Sequence, residues 1–275
     1  MEIALNTRYY GHTRFSALIP GSRAWLVSPD RAKEDAYRES LFAPGRLDAR
    51  ASILLDFAMP IYQEMSEDFD YRHIVHYTDS LPEPWKSRLF EASERYPVML
   101  LDRVERKIDA SSVIAEDLKD RAESSLVVRF RVDDDDLLSV NYLHRLSRFV
   151  TADHLGWSVS FGRGVGALFT QDHHHEFRIV HAALPSQGQA YIGKFDAFTH
   201  ELWLPEANRG HHVQDLLTPV IVDSRQINYL RTYDDNQDSL VGKSATAWSR
   251  LSKHPPLTDL KMLSQEFPTV ILETA

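Results

Sequence analysis

The chain has 275 residues, enough to bury a large hydrophobic core, and it contains no cysteine. The missing thiols exclude a disulfide framework, a zinc-thiolate site and a cysteine nucleophile. The formal net charge of −9 argues against nucleic acid as the main partner, so an acidic substrate would need a local positive site or a metal ion. The N-terminal segment lacks a signal-peptide pattern, and no window approaches about 18 uninterrupted apolar residues. We therefore expect a soluble, cytoplasmic protein without a transmembrane segment.

The first half of the sequence alternates between strand and helix patterns. Strands are predicted at residues 14–20, 72–77, 97–104 and 126–132, with a short apolar segment at 24–27. A helix is predicted from about Asp48, kinked or divided by Pro60, and further helices at 85–95 and 113–122. This alternation is typical of a mostly parallel sheet with helices on its faces.

The stretch from Leu126 to Val140 reads LVVRFRVDDDDLLSV and joins a strand to an acidic block. Leu126, Val128, Phe130 and Val132 alternate and should share one face of the strand, with Val127, Arg129 and Arg131 on the other. Four carboxylates follow, from Asp133 to Asp136, and then a helical pattern that extends to Phe149. Because ligands bind beyond the carboxyl ends of strands in open α/β sheets, this position favours a ligand site.

Adjacent carboxylates repel each other by roughly 1 kcal/mol in water and about 4 kcal/mol at an effective dielectric near 20. A hard cation such as Mn²⁺ or Mg²⁺ would neutralise them, since Mg²⁺ is commonly held by one or two carboxylates plus substrate phosphates. If the backbone stays extended, Asp133 and Asp135 project to one side and Asp134 to the other. The alternative is that Asp135 or Asp136 caps the following helix and that nearby arginines or solvent neutralise the rest.

After about Gly156 the pattern becomes richer in strands. Strands are predicted at residues 157–170, 177–184, 190–195 and 219–222, a hairpin loop at 185–189, and a helix at 257–266. No linker composition marks a domain boundary. We expect a single domain over residues 1–275, with an α/β half at 1–150 and a β-richer half at 151–275.

Several other residues could carry chemistry. The run His173 to His175 is expected to be a solvated loop, because consecutive side chains diverge on any regular element. His200, His211 and His212 could supply a third metal ligand or a phosphate contact. Asp196, Glu201 and Asp215 are the candidate general bases, with Asp215 favoured. Arg231 could hold a diphosphate or belong to a polar turn with the residues that follow it.

The order of these pieces resembles the rhamnosyltransferase family, whose members look like GT-A-type nucleotide-sugar glycosyltransferases. The resemblance runs from Thr13 to about Ser239 and rests on a set of motifs in order. These are Arg14-Phe15-Ser16, the helix with Pro60 leading to Asp68-Phe69, RHIVHY, Ser80-Leu81-Pro82, the stretch Arg131 to Asp136, and Tyr229 to Thr232 before an asparagine. The chain departs from the family at Ile61 and Met65, and Asp234 and Asp235 stand where a histidine commonly precedes that asparagine.

The resemblance implies a GT-A-like fold in which residues 1–150 bind the nucleotide and residues 151–275 bind the acceptor. It implies that Asp133 and Asp135 hold Mn²⁺ or Mg²⁺, with Asp136 nearby, and through the metal the diphosphate of a nucleotide-sugar donor. Arg14, Asp134 and Arg231 would then belong to the nucleotide site.

The sequence therefore predicts a glycosyltransferase that moves a sugar, rhamnose by resemblance, from a nucleotide diphosphate to a glycan hydroxyl. Two rival interpretations remain. One is a non-catalytic nucleotide-binding or glycan-binding relative. The other is a β-rich metal enzyme that uses histidines of the second half.

Overall fold

The computed structural model describes residues 6–19, 31–207, 210–234 and 246–271, and the side chains of 31–34 are not among the described parts. The strands are β1 Asn6–Arg14, β2 Tyr71–Tyr77, β3 Met99–Arg103, β4 Ser125–Arg131, β5 Asp136–Leu138, β6 Ser158–Ser160, β7 Arg163–Thr170, β8 His173–His181, β9 Gln189–Asp196, β10 Glu201–Trp203, β11 Val220–Val222 and β12 Tyr229–Tyr233. The α-helices are α1 Arg31–Leu41, α2 Pro44–Ala51, α3 Met59–Asp68, α4 Trp85–Arg95, α5 Ala110–Leu118, α6 Tyr142–Leu146, α7 Ala247–Leu251 and α8 Leu260–Glu266.

The larger sheet has, among the described strands, the order β11-β6-β9-β4-β1-β2-β3, with β10 paired to β9. The strands β1 to β4 are mutually parallel, so their carboxyl ends meet at one edge. Strand β9 is antiparallel to both β4 and β6. The N-terminal half therefore supplies a parallel sheet and the second half adds most of the remaining strands, which confirms the predicted α/β class.

The smaller sheet has the order β5-β12-β7-β8. Strand β5 begins only a few residues after β4 ends, so the chain passes from one sheet to the other through the acidic block. The two faces of β4 are buried as predicted: Val128, Phe130 and Val132 join the main core, and Val127 joins a smaller cluster with Ile114 of α5.

One predicted strand is misplaced. The first strand is Asn6–Arg14 and ends where the predicted strand, 14–20, begins. Most of Asn6–Arg14 is buried on both faces, as is usual within a parallel sheet, so it shows no clean alternation to detect. The predicted apolar segment 24–27 lies outside the described residues.

The predicted kink at Pro60 takes the form of a π-helical segment, Ser52–Ala58, that joins α2 to α3. Pro60 lies in the first turn of α3, where its missing N–H costs little. Most of the π-helical segment is buried, and it packs beside β5. The irregular turn thus connects α2 to the core next to the acidic block.

Two predictions for the second half are wrong. His173 to His175 begin strand β8 instead of forming a loop, and His174 points inward, 2% exposed, with its Nε2 3.1 Å from Thr232 Oγ1. The loop at 185–189 is not a hairpin, because β8 pairs with β7 whereas β9 pairs with β4 and β6. In the described part of the chain, no helix is both long and apolar enough to span a bilayer.

Candidate functional site

The acidic block is a tight turn at the carboxyl end of β4, and we call Asp133–Asp136 the acidic turn. The backbone N–H of Asp136 donates to the carbonyl of Asp133 at 3.1 Å, and Asp136 then starts β5. The predicted extended run is therefore wrong, because the chain must bend there to enter the second sheet. The capping alternative is also wrong, since α6 begins at Tyr142 and Asn141 is its N-cap residue.

Asp133 is the most accessible carboxylate of the acidic turn, with 33% of its side chain exposed. Its Oδ1 accepts from Arg131 Nε at 3.1 Å and from Arg131 Nη2 at 2.5 Å. Burial by itself would raise the pKa of Asp133, but the Arg131 ion pair, with Arg14 and Arg50, lowers it below its usual range. No described residue bonds its Oδ2. Asp133 is therefore ionised and keeps one oxygen for a ligand.

Asp134 and Asp135 converge on one buried guanidinium. Arg50 Nη1 lies 2.5 Å from Asp134 Oδ1 and 2.8 Å from Asp135 Oδ1, and the three side chains are 7 to 11% exposed. Asp134 Oδ2 also accepts from the backbone N–H of Ser16 at 3.0 Å. Asp134 therefore ties α2 and the segment after β1 to the acidic turn.

Two buried arginines at the site, Arg50 and Arg46, were not among the predicted residues. Both arginines lie on the buried face of α2, where Arg46 Nη1 donates to Ser16 Oγ at 3.0 Å. The available signal was two arginines four residues apart, Arg46 and Arg50, next to the apolar residues Leu47 and Ala51 of the same helical face. A buried arginine needs hydrogen-bond acceptors, and for Arg50 the acidic block provides two carboxylates.

Asp136 is buried and held by two donors from distant segments. Gln187 Nε2 donates to its Oδ2 at 2.6 Å, and the N–H of Thr232 donates to its Oδ1 at 3.1 Å. Burial, with the charges of Asp135 and Asp133, raises the pKa of Asp136 well above its usual range, although Arg231 and Gln187 act in the opposite direction. The carboxyl of Asp136 thus connects the loop before β9 to β12.

Arg14 and Arg231 lie on either side of the acidic turn. Arg14 ends β1, and burial and then Arg131 lower its pKa against the opposing effects of Asp133 and Asp134. Arg231 stands opposite Asp136 in the β12–β5 pairing. Burial tends to lower the pKa of Arg231, but Asp136, Tyr233 and Asp135 together outweigh burial and raise the pKa above its usual value. The structure therefore brings the predicted cations and carboxylates together.

The candidate residues of the second half differ in their exposure and in their hydrogen bonds. Asp215 lies exposed on a 3₁₀ segment, His211–Leu216, and makes no hydrogen bond or ion pair with a described residue. Burial, followed by His212 and Arg131, lowers the pKa of His211, and Asp133 acts on it in the opposite sense. The backbone carbonyl of His211 accepts from Gln189 Nε2 at 3.3 Å, and Gln189 stands opposite Arg131 in the β4–β9 pairing, so His211 lies near the end of β4. Asp196 accepts from the N–H groups of Phe198 and Thr199 and so caps a turn.

The acidic turn offers carboxylate oxygens, the ligand type that a hard cation prefers. No group of three or more His, Asp or Glu within the described residues is placed to hold a metal ion. Mg²⁺ needs only one or two carboxylates when phosphate oxygens and water complete its shell. Asp133 has an oxygen that no described residue bonds, whereas Asp135 Oδ1 lies 2.8 Å from Arg50 Nη1, so Asp133 is the carboxylate that is open to a cation. Asp235 and Asn236, where the family pattern continues, lie outside the described residues.

Comparisons with known proteins give a family and weak structural similarities. Crystal structures of S. aureus TarS match, one of residues 1–349 at 9% identity and a TM-score of 0.38, covering 83% of this chain and 61% of that one. A second TarS structure matches at 10% identity and a TM-score of 0.35, covering 84% and 38%. A structure of TarS 1–349 in complex with UDP-GlcNAc matches at 10% identity and a TM-score of 0.34, covering 82% of this chain and 58% of that one. The chain thus spans less than two thirds of each, and no curated protein matches it.

A model of the family described as "Putative rhamnosyl transferase" matches residues 8–245, which include most of β1, the acidic turn and β12. The match covers most of the chain. The chain therefore belongs to this rhamnosyl transferase family.

Proposed function

We propose that this protein is a glycosyltransferase that moves a sugar from a nucleotide diphosphate donor to a hydroxyl of a glycan acceptor. The observation that carries the proposal is the acidic turn at the carboxyl end of β4, with accessible Asp133 beside Arg131 and Arg14. Such an edge is where α/β sheets bind ligands. The family description makes rhamnose the proposed sugar.

The guanidinium groups around the acidic turn would bind and orient the donor diphosphate. Arg14 and Arg231 come from different strands, so they can approach a diphosphate from two sides. Planar guanidinium groups suit this task because they form paired hydrogen bonds with phosphate oxygens. When bound at Asp133 and Asp135, Mn²⁺ or Mg²⁺ would supply positive charge that offsets the charge developing on the leaving diphosphate.

The second half would supply the acceptor side of the reaction. Asp215 is the proposed carboxylate base for the acceptor hydroxyl, and its exposed position on the His211–Leu216 segment leaves it accessible to a glycan. His211, on the same segment, is the second candidate because the charges of Arg131 and Asp133 act on it. Activity of Asp215→Asn and His211→Gln, each compared with the native chain across pH, distinguishes the two.

The direct test is isothermal titration with TDP, UDP and GDP, with and without Mn²⁺. We expect one nucleotide to bind in a metal-dependent manner, and Asp133→Asn and Asp135→Ala each to weaken that binding at least about tenfold, or about 1.4 kcal/mol. Asp68→Asn is the matched control, because Asp68 is an exposed carboxylate whose partner is His144 at 3.2 Å.

Absence of nucleotide binding under every condition would contradict the donor site. Binding that is independent of metal and of Asp133 and Asp135 would assign the diphosphate to the arginines alone. Metal-dependent binding without sugar transfer would favour a non-catalytic relative.

A further inference from the structure

Away from the acidic turn, a polar cleft lies between α6, the end of β6 and the loop from β11 to β12. It holds about 110 Å³ and is open to solvent, and three of its seven lining residues are arginines, Arg145, Arg148 and Arg225. Phe161, which is 1% exposed, also lines it. In a chain with a net charge of −9, this concentration of guanidinium groups is a local reversal of charge.

Two of the three arginines are neutralised and fixed by the protein. Arg145 Nη2 donates to Glu266 Oε1 at 2.5 Å, and the two side chains are 11% and 12% exposed. Arg225 donates to Asp223 from Nε at 2.9 Å and from Nη2 at 2.7 Å. These pairs contribute no excess charge to the cleft.

Arg148 is the lining arginine whose charge no described carboxylate neutralises. Its side chain is exposed, and no described residue forms an ion pair or a hydrogen bond with it. The exposed side-chain amide of Gln226 and Nη1 of Arg225, which no described acceptor bonds, are further donors at the cleft. One positive charge with several donors matches a single oxyanion, which a guanidinium can bind through two parallel hydrogen bonds.

The strand directions place this cleft on the same edge of the large sheet as the acidic turn. Strand β11 is parallel to β6, and both β6 and β4 are antiparallel to β9, so β4, β6 and β11 end at the same edge. Phe161 follows β6 and Asp223 follows β11. With strands about 4.8 Å apart, β6 lies two spacings and β11 three from β4, or roughly 10–14 Å.

We infer that this cleft binds one oxyanion, a carboxylate or a phosphate, carried by a sugar. The cleft itself holds about 110 Å³, which is room for a carboxylate or phosphate group, and the sugar that carries this group would lie at the open side of the cleft. If the protein has the proposed function, this sugar is part of the acceptor. The acceptor is then an acidic glycan that lies along the sheet edge toward the acidic turn.

Ligand-observed NMR titration of the full chain with glucuronate, glucose 6-phosphate and glucose tests this inference. We expect at least one charged sugar to bind and neutral glucose not to bind, and the tighter charged sugar identifies the oxyanion. Arg148→Gln should weaken that binding about ten- to hundredfold, the effect of losing hydrogen bonds to a charged group. Arg148→Lys keeps the charge but lacks the planar guanidinium, so its affinity for the charged sugar should lie between those of the native chain and Arg148→Gln.

Arg106→Gln is the matched control, because Arg106 is an exposed arginine between β3 and α5 that no described residue bonds. Equal binding of glucose and the charged sugars, no binding of either charged sugar, or equal effects of Arg148→Gln and Arg106→Gln would overturn the inference. Nucleotide titration of the native chain reports on the proposed function separately, so failure of one result leaves the other standing.

Discussion

Replacing Arg50 by methionine should destabilise the fold far more than the same substitution on the surface. The Arg50 guanidinium lies 2.5 Å from Asp134 Oδ1 and 2.8 Å from Asp135 Oδ1, with all three side chains almost buried. Methionine keeps much of the side-chain volume but leaves two buried carboxylates without their shared cation. Breaking a buried ion pair from one side costs about 3–5 kcal/mol.

The surface control is Arg88→Met. Arg88 pairs with Asp56 at 2.9 Å, but the side chains are 35% and 53% exposed, so water and salt screen the interaction. Pairs of this kind contribute about 0–1 kcal/mol. The two variants therefore share the chemistry of the substitution and the loss of an ion pair, and differ in burial.

Urea denaturation followed by circular dichroism measures the difference. We expect Arg50→Met to lower the midpoint with little change in slope, since the surface exposed on unfolding is nearly the same. Against a total stability of about 5–15 kcal/mol, the variant should still fold in the absence of urea. Equal losses for Arg50→Met and Arg88→Met would refute the conclusion that Arg50 neutralises the acidic turn.

Two further predictions concern a buried imidazole and a strained turn. Burial, then His175 and His173, lowers the pKa of His174 to about 3 in the folded protein, against a value near 6.5 in the unfolded chain. The free energy of unfolding is therefore highest above pH 6.5, and below that pH it decreases by up to about 1.4 kcal/mol per pH unit. His174→Gln should reduce that slope in urea denaturation between pH 7 and 5, and an unchanged slope would contradict a neutral buried His174. Gly188→Ala should cost about 1–3 kcal/mol, because φ is 68° and the new Cβ would lie 2.9 Å from Leu138 Cδ2 and Tyr142 Cε2. Gly45→Ala, in α2 with open space around it, should instead stabilise by about 0.5–1 kcal/mol, and thermal melts that show the same sign for both would contradict this.

Sequence patterns located the elements whose signals are local. Helix α4 occupies the predicted residues Trp85–Arg95, and β2 covers the predicted 72–77 with one extra residue. Both have short-range signals: Pro84 stands just before the helix, and the strand is rich in β-branched and aromatic residues. The strand before the acidic block was found for the same reason, since its alternation matches its two buried faces.

Features that depend on distant pairing could not be read locally. Residues 136–138 continue an apolar pattern that suits a helix, but they form β5 because Tyr229–Tyr233 lies beside them as β12. The bend at the acidic turn follows from that pairing, so its geometry was out of reach of any local rule. Arg50 is 84 residues from Asp134, and only folding brings the two together.

The arginines change what the acidic block implies about its ligand. Four adjacent carboxylates suggest a strongly negative site, yet Arg14, Arg50, Arg131 and Arg231 come from four separate elements to lie on or beside the acidic turn. Four cations against four carboxylates leave the region close to neutral when every group is charged, and the raised pKa of Asp136 makes it no more negative. A diphosphate would therefore meet little net attraction from this region alone. The divalent cation proposed at Asp133 and Asp135 would supply the missing attraction, and metal dependence of nucleotide binding is for this reason the most informative property to measure.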